Sequence, residues 1–251
     1  MTSDGLAIIA AASGAVFRSD NDRLRLLSLQ PSRITAVAIS PATNIIAVSL
    51  DVSDKIAILD VNGVPLYSLS SRALSNVESL SFNPNGTLLS VGHENGVLEI
   101  FDMSSRSNIK LFAAHGAPIH RTQFSPTSTF LASADINGNV NVWELRNIRL
   151  ISHLSQLSLP SFQATGRISY LDFSADENLI LTVYGNFVDL WDRETGKRVD
   201  HFESIIQSLV LAGLSAQSGI IAANESGTIQ TFSFPFNATF SPTILETLAP
   251  Q

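Results

Sequence analysis

The chain has 251 residues, enough for one large domain or two small ones. With 45% apolar and 15% charged residues it reads as a folded protein, which excludes a disordered tail or a charged helical rod. A net charge of −7 gives no electrostatic reason to expect nucleic acid or anionic lipid as the main ligand, and the absence of Cys excludes disulfides and thiolate metal sites.

The apolar opening from Gly5 to Ala12 follows Asp4 and lacks the basic segment of a signal peptide, so it reads as a strand. No run reaches the ~20 apolar residues that a membrane-spanning helix requires. Asn85, Asn224 and Asn237 stand in Asn-x-Ser/Thr sequons, which matter only in a secreted chain. Cytoplasm is the expected location, with the nucleus as the alternative.

Residues 5–30 hold three predicted strands, at 6–12, 15–19 and 24–29. Five fuller units follow, at approximately 33–72, 76–114, 117–159, 167–204 and 206–247. Two phrases mark them. An apolar residue followed by Ser or Asn and then Pro or Ala occurs at Ile39, Phe82, Phe124, Phe173 and Leu214, in steps of 43, 42, 49 and 41 residues. A second marker keeps the beat at Leu59-Asp60, Phe101-Asp102, Trp143-Glu144, Trp191-Asp192 and Phe232-Ser233.

Within the 76–114 unit, alternating apolar runs predict strands at Val77–Phe82, 88–92, Val97–Asp102 and 109–112. Asn95-Gly96, and Asn137-Gly138 one unit later, suit two-residue hairpins with positive φ. Four strands per ~40 residues is the pattern of a propeller blade. The first unit lacks a first strand. The segment 243–248 either supplies that strand and closes a ring or finishes the sixth unit. The expected architecture is therefore all-β: a single propeller domain over 1–251 with about six four-stranded blades, complete in itself or part of a longer propeller.

The sequences Leu-Ala-Ser-Ala-Asp-Ile-Asn-Gly-Asn-Val-Asn-Val-Trp-Glu, ending at Glu144, and Phe-Val-Asp-Leu-Trp-Asp, ending at Asp192, resemble the WD40 repeat, and the resemblance extends over nearly the whole chain. Two departures stand out. Gly-His before the first strand is missing, with only the reversed His115-Gly116, and Asn95 and Asn137 stand where the resemblance implies a hairpin Asp. The Asp-His-Ser-Trp hydrogen-bond network of such blades is therefore not expected, and apolar packing is expected in its place.

The sequence offers no set of catalytic groups: no Cys, no Gly-x-Ser-x-Gly elbow and no phosphate-binding Gly-rich loop. No catalytic residue, cofactor or metal ligand is assigned. His115 and His120 lack a third ligand candidate. Asp60, Asp102, Glu144 and Asp192 recur at one place per unit, which suits turn capping better than acid/base work. Trp143, Trp191 and Phe101, at one equivalent position, read as core between blades.

The connections are more promising. The 49-residue step contains an enlarged linker, 152–166, whose Leu154, Leu157, Leu159 and Phe162 either pack beneath the propeller or meet a partner. Arg72, Arg106, Arg121, Arg146, Arg149 and Arg167 fall at strand ends or linkers, suited to rim contacts with acidic protein segments. Arg121, Arg146, Arg149, Leu157, Phe162 and Arg167 are the candidate protein-binding residues.

The resemblance implies a non-catalytic scaffold for protein partners. The start at a second strand and the strand Lys55-Ile-Ala-Ile58 after Asp54 are similar to centrosomal WD-repeat proteins that recruit γ-tubulin complexes, which implies a cytoskeletal setting. Alternatives are a coat- or pore-type subunit whose open propeller a partner strand completes, and a WD40 subunit of a ribosome-processing particle. The Phe-Arg-Arg-Gly signature of lipid-binding propellers is absent.

Overall fold

The computed structural model describes residues 7–10, 13–20, 23–40, 42–51, 53–155, 167–203, 209–215, 219–224, 229–233 and 243–245. Their regular structure is entirely β, in 23 strands. Two compact units make up the chain, Met1–Ser128 and Thr129–Gln251.

The first unit opens with the antiparallel sheet β1 (Ala7–Ala10), β2 (Ala15–Asp20) and β3 (Arg23–Leu29). A four-stranded meander follows, β4 (Ile34–Ile39), β5 (Ile45–Leu50), β6 (Lys55–Asp60) and β7 (Pro65–Ser70). A second consists of β8 (Val77–Phe82), β9 (Leu88–His93), β10 (Val97–Asp102) and β11 (Ser107–Ala113). The next repeat contributes β12 (Ile119–Phe124) to this unit, packed on β8 and β9.

The second unit holds the other strands of that repeat, β13 (Phe130–Asp135), β14 (Asn139–Glu144) and β15 (Arg149–Ser155). Two four-stranded meanders complete it: β16 (Tyr170–Phe173), β17 (Leu179–Tyr184), β18 (Phe187–Asp192) and β19 (Arg198–Glu203), then β20 (Leu209–Ser215), β21 (Gly219–Asn224), β22 (Ile229–Ser233) and β23 (Thr243–Leu245). The expected strand boundaries of 76–114 are met within two residues. Thr243 pairs with Thr231 on β22, so the last strand finishes the last sheet, and the first sheet has three strands among the described residues.

The second and third strands of the four repeats from β4 to β19 are covered on both faces. In β9, Leu89, Val91 and His93 alternate with Ser90 and Gly92, and all five are buried. The small residues admit the neighbouring repeat: Ser90 Oγ lies 2.9 Å from Thr122 Oγ1, and a Cβ on Gly92 would meet Ile119. Large residues fill the spaces between sheets. Ile56, Ile58 and Leu69 meet Val77, Leu89, Val91 and Phe101 in the first unit. In the second, Val140, Val142 and Leu154 meet Ile168, Phe173, Ile180 and Trp191. Burying both faces of a sheet is the largest favourable contribution available to such a chain.

The fold departs from the sequence expectation in three ways. First, the hairpins at Gly96 and Gly138 are three-residue loops, not two-residue ones. Only the glycines have positive φ, 77° and 81°, and the backbone N–H of each donates to His93 O or Asp135 O three residues back. This is a type I turn closed by a left-handed residue. Asp135 favours it by accepting hydrogen bonds from Asn137 N at 2.9 Å and Asn139 N at 3.0 Å.

Second, the indole bonds of the polar network, which the sequence did not lead one to expect, are present. Trp143 Nε1 donates to Ser133 Oγ, and Trp191 Nε1 to Thr182 Oγ1, each at 2.9 Å. Burying an indole requires such a partner. Third, the outermost strand of five repeats carries a β-bulge opposite the marker position, and the skipped residue is always apolar: Leu27, Leu66, Ile109, Ile151 and Val199.

Turns also repeat their backbone. Left-handed residues recur after the third strand at Gly63, Arg106, Ile148 and Gly196, and after the first strand at Asn44, Gly86, Ser128 and Glu177. Gly63 is forced twice over, by φ of 83° and by Leu27 O lying 2.6 Å from where a Cβ would stand. Ile148, β-branched at φ 50°, is the most strained member. Replacing Ile148 with Gly is expected to raise stability by about 0.5–1 kcal/mol, the left-handed cost less the entropy of glycine. Replacing Gly63 with Ala is expected to lower it by more than about 1 kcal/mol. Urea denaturation of both variants checks the pair, and a destabilised Ile148→Gly chain would contradict it.

Candidate protein-binding surface

Asp60, Asp102 and Asp192 end the third strands as turn caps. Asp60 Oδ1 accepts from Asn62 N and Val64 N, both at 2.8 Å. Asp102 Oδ1 accepts from Ser105 N at 2.7 Å, and Asp192 Oδ1 from Thr195 N at 2.7 Å. The backbone N–H of Val64, Ser105 and Thr195, respectively, is the main reason that all three carboxyls sit below their ordinary range. Glu144, the fourth of the series, instead lies 3.4 Å from Arg149 Nε on the surface. Trp143, Trp191 and Phe101 are buried core, as their periodicity implies.

The sequence-predicted contact residues occupy separate places. Arg121 is exposed on β12 in the first unit. Arg146 is exposed in the turn before β15, Arg149 opens that strand, and Arg167 is exposed ahead of β16, all in the second unit. Leu157 and Phe162 lie outside the described residues. Within the linker, Leu154 is buried and belongs to the core of β14 and β15 rather than to a surface. Arg106 is stacked, with its guanidinium 4.2 Å from the centre of the Tyr67 ring. Among the described residues no group of three or more His, Asp or Glu side chains gathers as a metal site would require.

A more organised feature was not singled out in the sequence. Glu99, third residue of β10, is completely buried together with His93. Its carboxylate accepts from Ser71 Oγ at 2.7 Å, Arg72 N at 2.7 Å, His93 Nε2 at 3.0 Å and Asn108 Nδ2 at 3.0 Å. His93 Nδ1 lies 3.2 Å from Ser75 O, so both ring nitrogens face acceptors. Burial pushes the Glu99 carboxyl upward, but the His93 contact and the donors Arg72 N and Ser71 Oγ outweigh it and hold the group below its usual range.

The combination of Ser71, His93 and Glu99 resembles a nucleophile set only in composition. Ser71 donates to the Glu99 carboxylate rather than to His93, so no imidazole stands beside its hydroxyl to activate it. What these groups do is fasten the segment 71–76, between β7 and β8, onto β9 and β10. Further bonds hold the same segment: Ser71 N to Asp54 O, Ala73 N to Ser71 Oγ, Asn95 Nδ2 to Ala73 O, Asn95 N to Ser75 Oγ, and Glu94 N to Asn76 O. Asn95, read in the sequence as a hairpin residue, is thus also a tie to the neighbouring connection.

A sequence signal for Glu99 existed. The same third position of the strand holds Asn141 and Asp189 in the next two repeats, both buried. Asn141 Oδ1 lies 2.6 Å from His153 Nδ1. Asp189 accepts from Tyr184 Oη at 2.9 Å and contacts His201 Nδ1. Burial, with Asp189 beside it, pushes the Tyr184 phenol well above its ordinary range.

Comparison with known proteins now bears on this geometry. Residues 106–144 match the family model for the WD domain, G-beta repeat, and residues 37–120 match that for the anaphase-promoting complex subunit 4 WD40 domain. The repeats belong to the WD40 family. The four-stranded antiparallel sheets have the form of blades of a WD40-type β-propeller, and the first sheet has three strands among the described residues. The chain is 35% identical over 83 residues to WD repeat and HMG-box DNA-binding protein 1 of Homo sapiens, covering 33% of this chain and 7% of that protein. It is 36% identical over 92 residues to U3 small nucleolar RNA-associated protein 15 of Schizosaccharomyces pombe, covering 33% and 18%. To pre-mRNA-processing factor 19 homolog 2 of Arabidopsis thaliana it is 27% identical over 148 residues, covering 58% and 28%. The match therefore spans less than a third of each relative.

Two outcomes are expected of the polar groups. Glu99→Ala removes the acceptor shared by Ser71 Oγ, Arg72 N, His93 Nε2 and Asn108 Nδ2 and leaves buried polar groups unpaired, so a loss of about 3–5 kcal/mol in chemical denaturation is expected. The WD40 caps act through depressed carboxyl values, so their contribution is complete above the ordinary carboxylate range and is lost as pH falls through the folded-state values. Thermal midpoints are expected to hold between pH 7 and about 5 and to fall steeply below about 4. The fall should be shallower in a chain carrying Asp60→Asn, Asp102→Asn and Asp192→Asn together; equal slopes would contradict the assignment.

Proposed function

We propose that this WD40 chain is a non-catalytic scaffold that holds protein partners within a multiprotein assembly of the nucleus, in RNA processing or transcription-linked work. The observation that carries the reading is the combination of WD40 blades with relatives whose names attach to pre-mRNA processing, small nucleolar RNA and DNA binding. The net charge of −7 favours contact through proteins of such assemblies rather than directly through nucleic acid. Among the sequence alternatives, the ribosome-processing particle gains support from the nucleolar relative. Microtubule nucleation and a cytoplasmic setting gain none from these relatives. Arg121, Arg146, Arg149 and Arg167, with Leu157 and Phe162 of the linker, remain the proposed rim contacts, and the six repeats are proposed to form one propeller domain.

A second reading is favoured by one observation. Among the described residues the first sheet has three strands and β23 pairs with β22, which leaves an edge of β1 for an added strand. That strand would come from a partner, with this chain as the coat- or pore-type subunit that it completes. Amide exchange of residues 7–10 tests it, since a strand added to β1 slows exchange there and a partner docking elsewhere leaves it unchanged.

The main reading is tested by purifying the tagged chain from its own cells and identifying what accompanies it by mass spectrometry. Stable co-purification of RNA-processing or transcription components, resistant to nuclease, is expected. Recovery of the chain alone, or loss of every partner on nuclease treatment, would contradict the scaffold.

A further inference from the structure

Among the described residues, the left-handed positions fall into families, with a single exception. Positions after the first strand (Asn44, Gly86, Ser128, Glu177), after the second (Gly14, Gly96, Gly138, Gly185) and after the third (Gly63, Arg106, Ile148, Gly196) recur with the repeat. A position that recurs serves the blade. Leu74, at φ 51°, belongs to none of these series. It lies in the connection 71–76 and is 91% exposed, whereas the next most exposed large apolar residue among those described, Val64, is at 54%. Two unfavourable features, a strained backbone and an unburied leucine, thus coincide at one site that the repeat does not require.

The surroundings fix that conformation. Ser71 and Arg72 N are held by buried Glu99, Ala73 O by Asn95 Nδ2, Ser75 O and Oγ by His93 and Asn95 N, and Asn76 by Glu94 through N–H to O and through its amide at 3.0 Å. Every neighbour of Leu74 in the segment is bonded to β9, β10 or the hairpin between them. A leucine displayed on such a support loses little freedom on binding, which is how anchor residues gain affinity.

We propose that 71–76 is a preformed docking knob: Leu74 enters an apolar pocket on a protein partner, and the exposed Arg72 beside it pairs with a carboxylate at the pocket rim. The charge next to the leucine selects the partner's chemistry, because an apolar pocket with an acidic rim satisfies both groups and one with a basic rim repels the knob. The proposal rests on the scaffold reading and names its contact surface.

The test uses the full chain, tagged and expressed in its own cells, as wild type and as Leu74→Asn, Leu74→Met, Arg72→Ala and the control Leu150→Asn. Asparagine tolerates the left-handed conformation, so the thermal midpoint of Leu74→Asn is expected to equal or exceed that of wild type. Partners are compared quantitatively, and the partner most dependent on residue 74 is then purified for affinity measurement against each chain. Leu74→Asn is expected to weaken binding about thirtyfold or more. Leu74→Met should stay within about threefold. Arg72→Ala is expected to bind several-fold more weakly and with less dependence on salt. If wild type holds partners and Leu74→Asn holds the same ones equally, the knob is refuted while the scaffold stands. If wild type holds none, both fall.

Discussion

The two inner strands of the four-stranded sheets between β4 and β19 are covered on both faces, so a blade of this chain is not a unit of stability by itself. Ile58 and Leu69 are buried only because Val91 and Phe101 of the following repeat meet them. The same holds for Val142 and Leu154 against Phe173 and Trp191. Most of what else is seen follows from this mutual dependence. The alternation of large with small in β9, the close approach at Gly92 and the left-handed corners all let one sheet lie against the next.

Close stacking leaves polar groups in an awkward place, and the chain treats them repeat by repeat. The third residue of the third strand is buried as Glu99, Asn141 and Asp189. As Ala57 it is half-buried and requires nothing, as Asn141 it meets His153, and as Glu99 or Asp189 it carries a charge that must be matched. Glu99 is matched by groups from the preceding connection, so its electrostatic need becomes a mechanical tie between a loop and a sheet. Replacing the cluster by apolar residues would serve packing equally well. Its retention makes sense where the position of 71–76 matters.

The architecture was legible in the sequence because packing is periodic. Phe101, Trp143 and Trp191 at one beat fixed the third strands and their burial, and Asp60, Asp102 and Asp192 at the next fixed the caps. What escaped was local backbone detail. Nothing in Asn95-Gly96 distinguishes a two-residue from a three-residue loop until His93 O is seen receiving the Gly96 N–H. Bulges at Leu66 and Ile109 hide as well, since an extra apolar residue in an outer strand reads as ordinary alternation. The Trp143 to Ser133 bond was discounted because the family's histidine was missing, although a tryptophan and a serine on paired strands need no third member to meet.

The site was less legible than the fold for a related reason. Arginines near turns were chosen for charge, yet charge at a turn is common to every repeat: Arg106 is spent on Tyr67, and Arg149 leans on Glu144. Function in a repeat protein is better sought where the pattern breaks, because selection for the blade acts equally on all repeats and selection for a partner acts on one. Leu74 breaks the pattern twice, in backbone angle and in exposure, and neither departure is visible in its one-letter context. The buried acid behind it does show in sequence, as a lone charge inside an apolar strand. Reading such charges as supports for the connection they face gives a way from sequence to surface that composition alone does not offer.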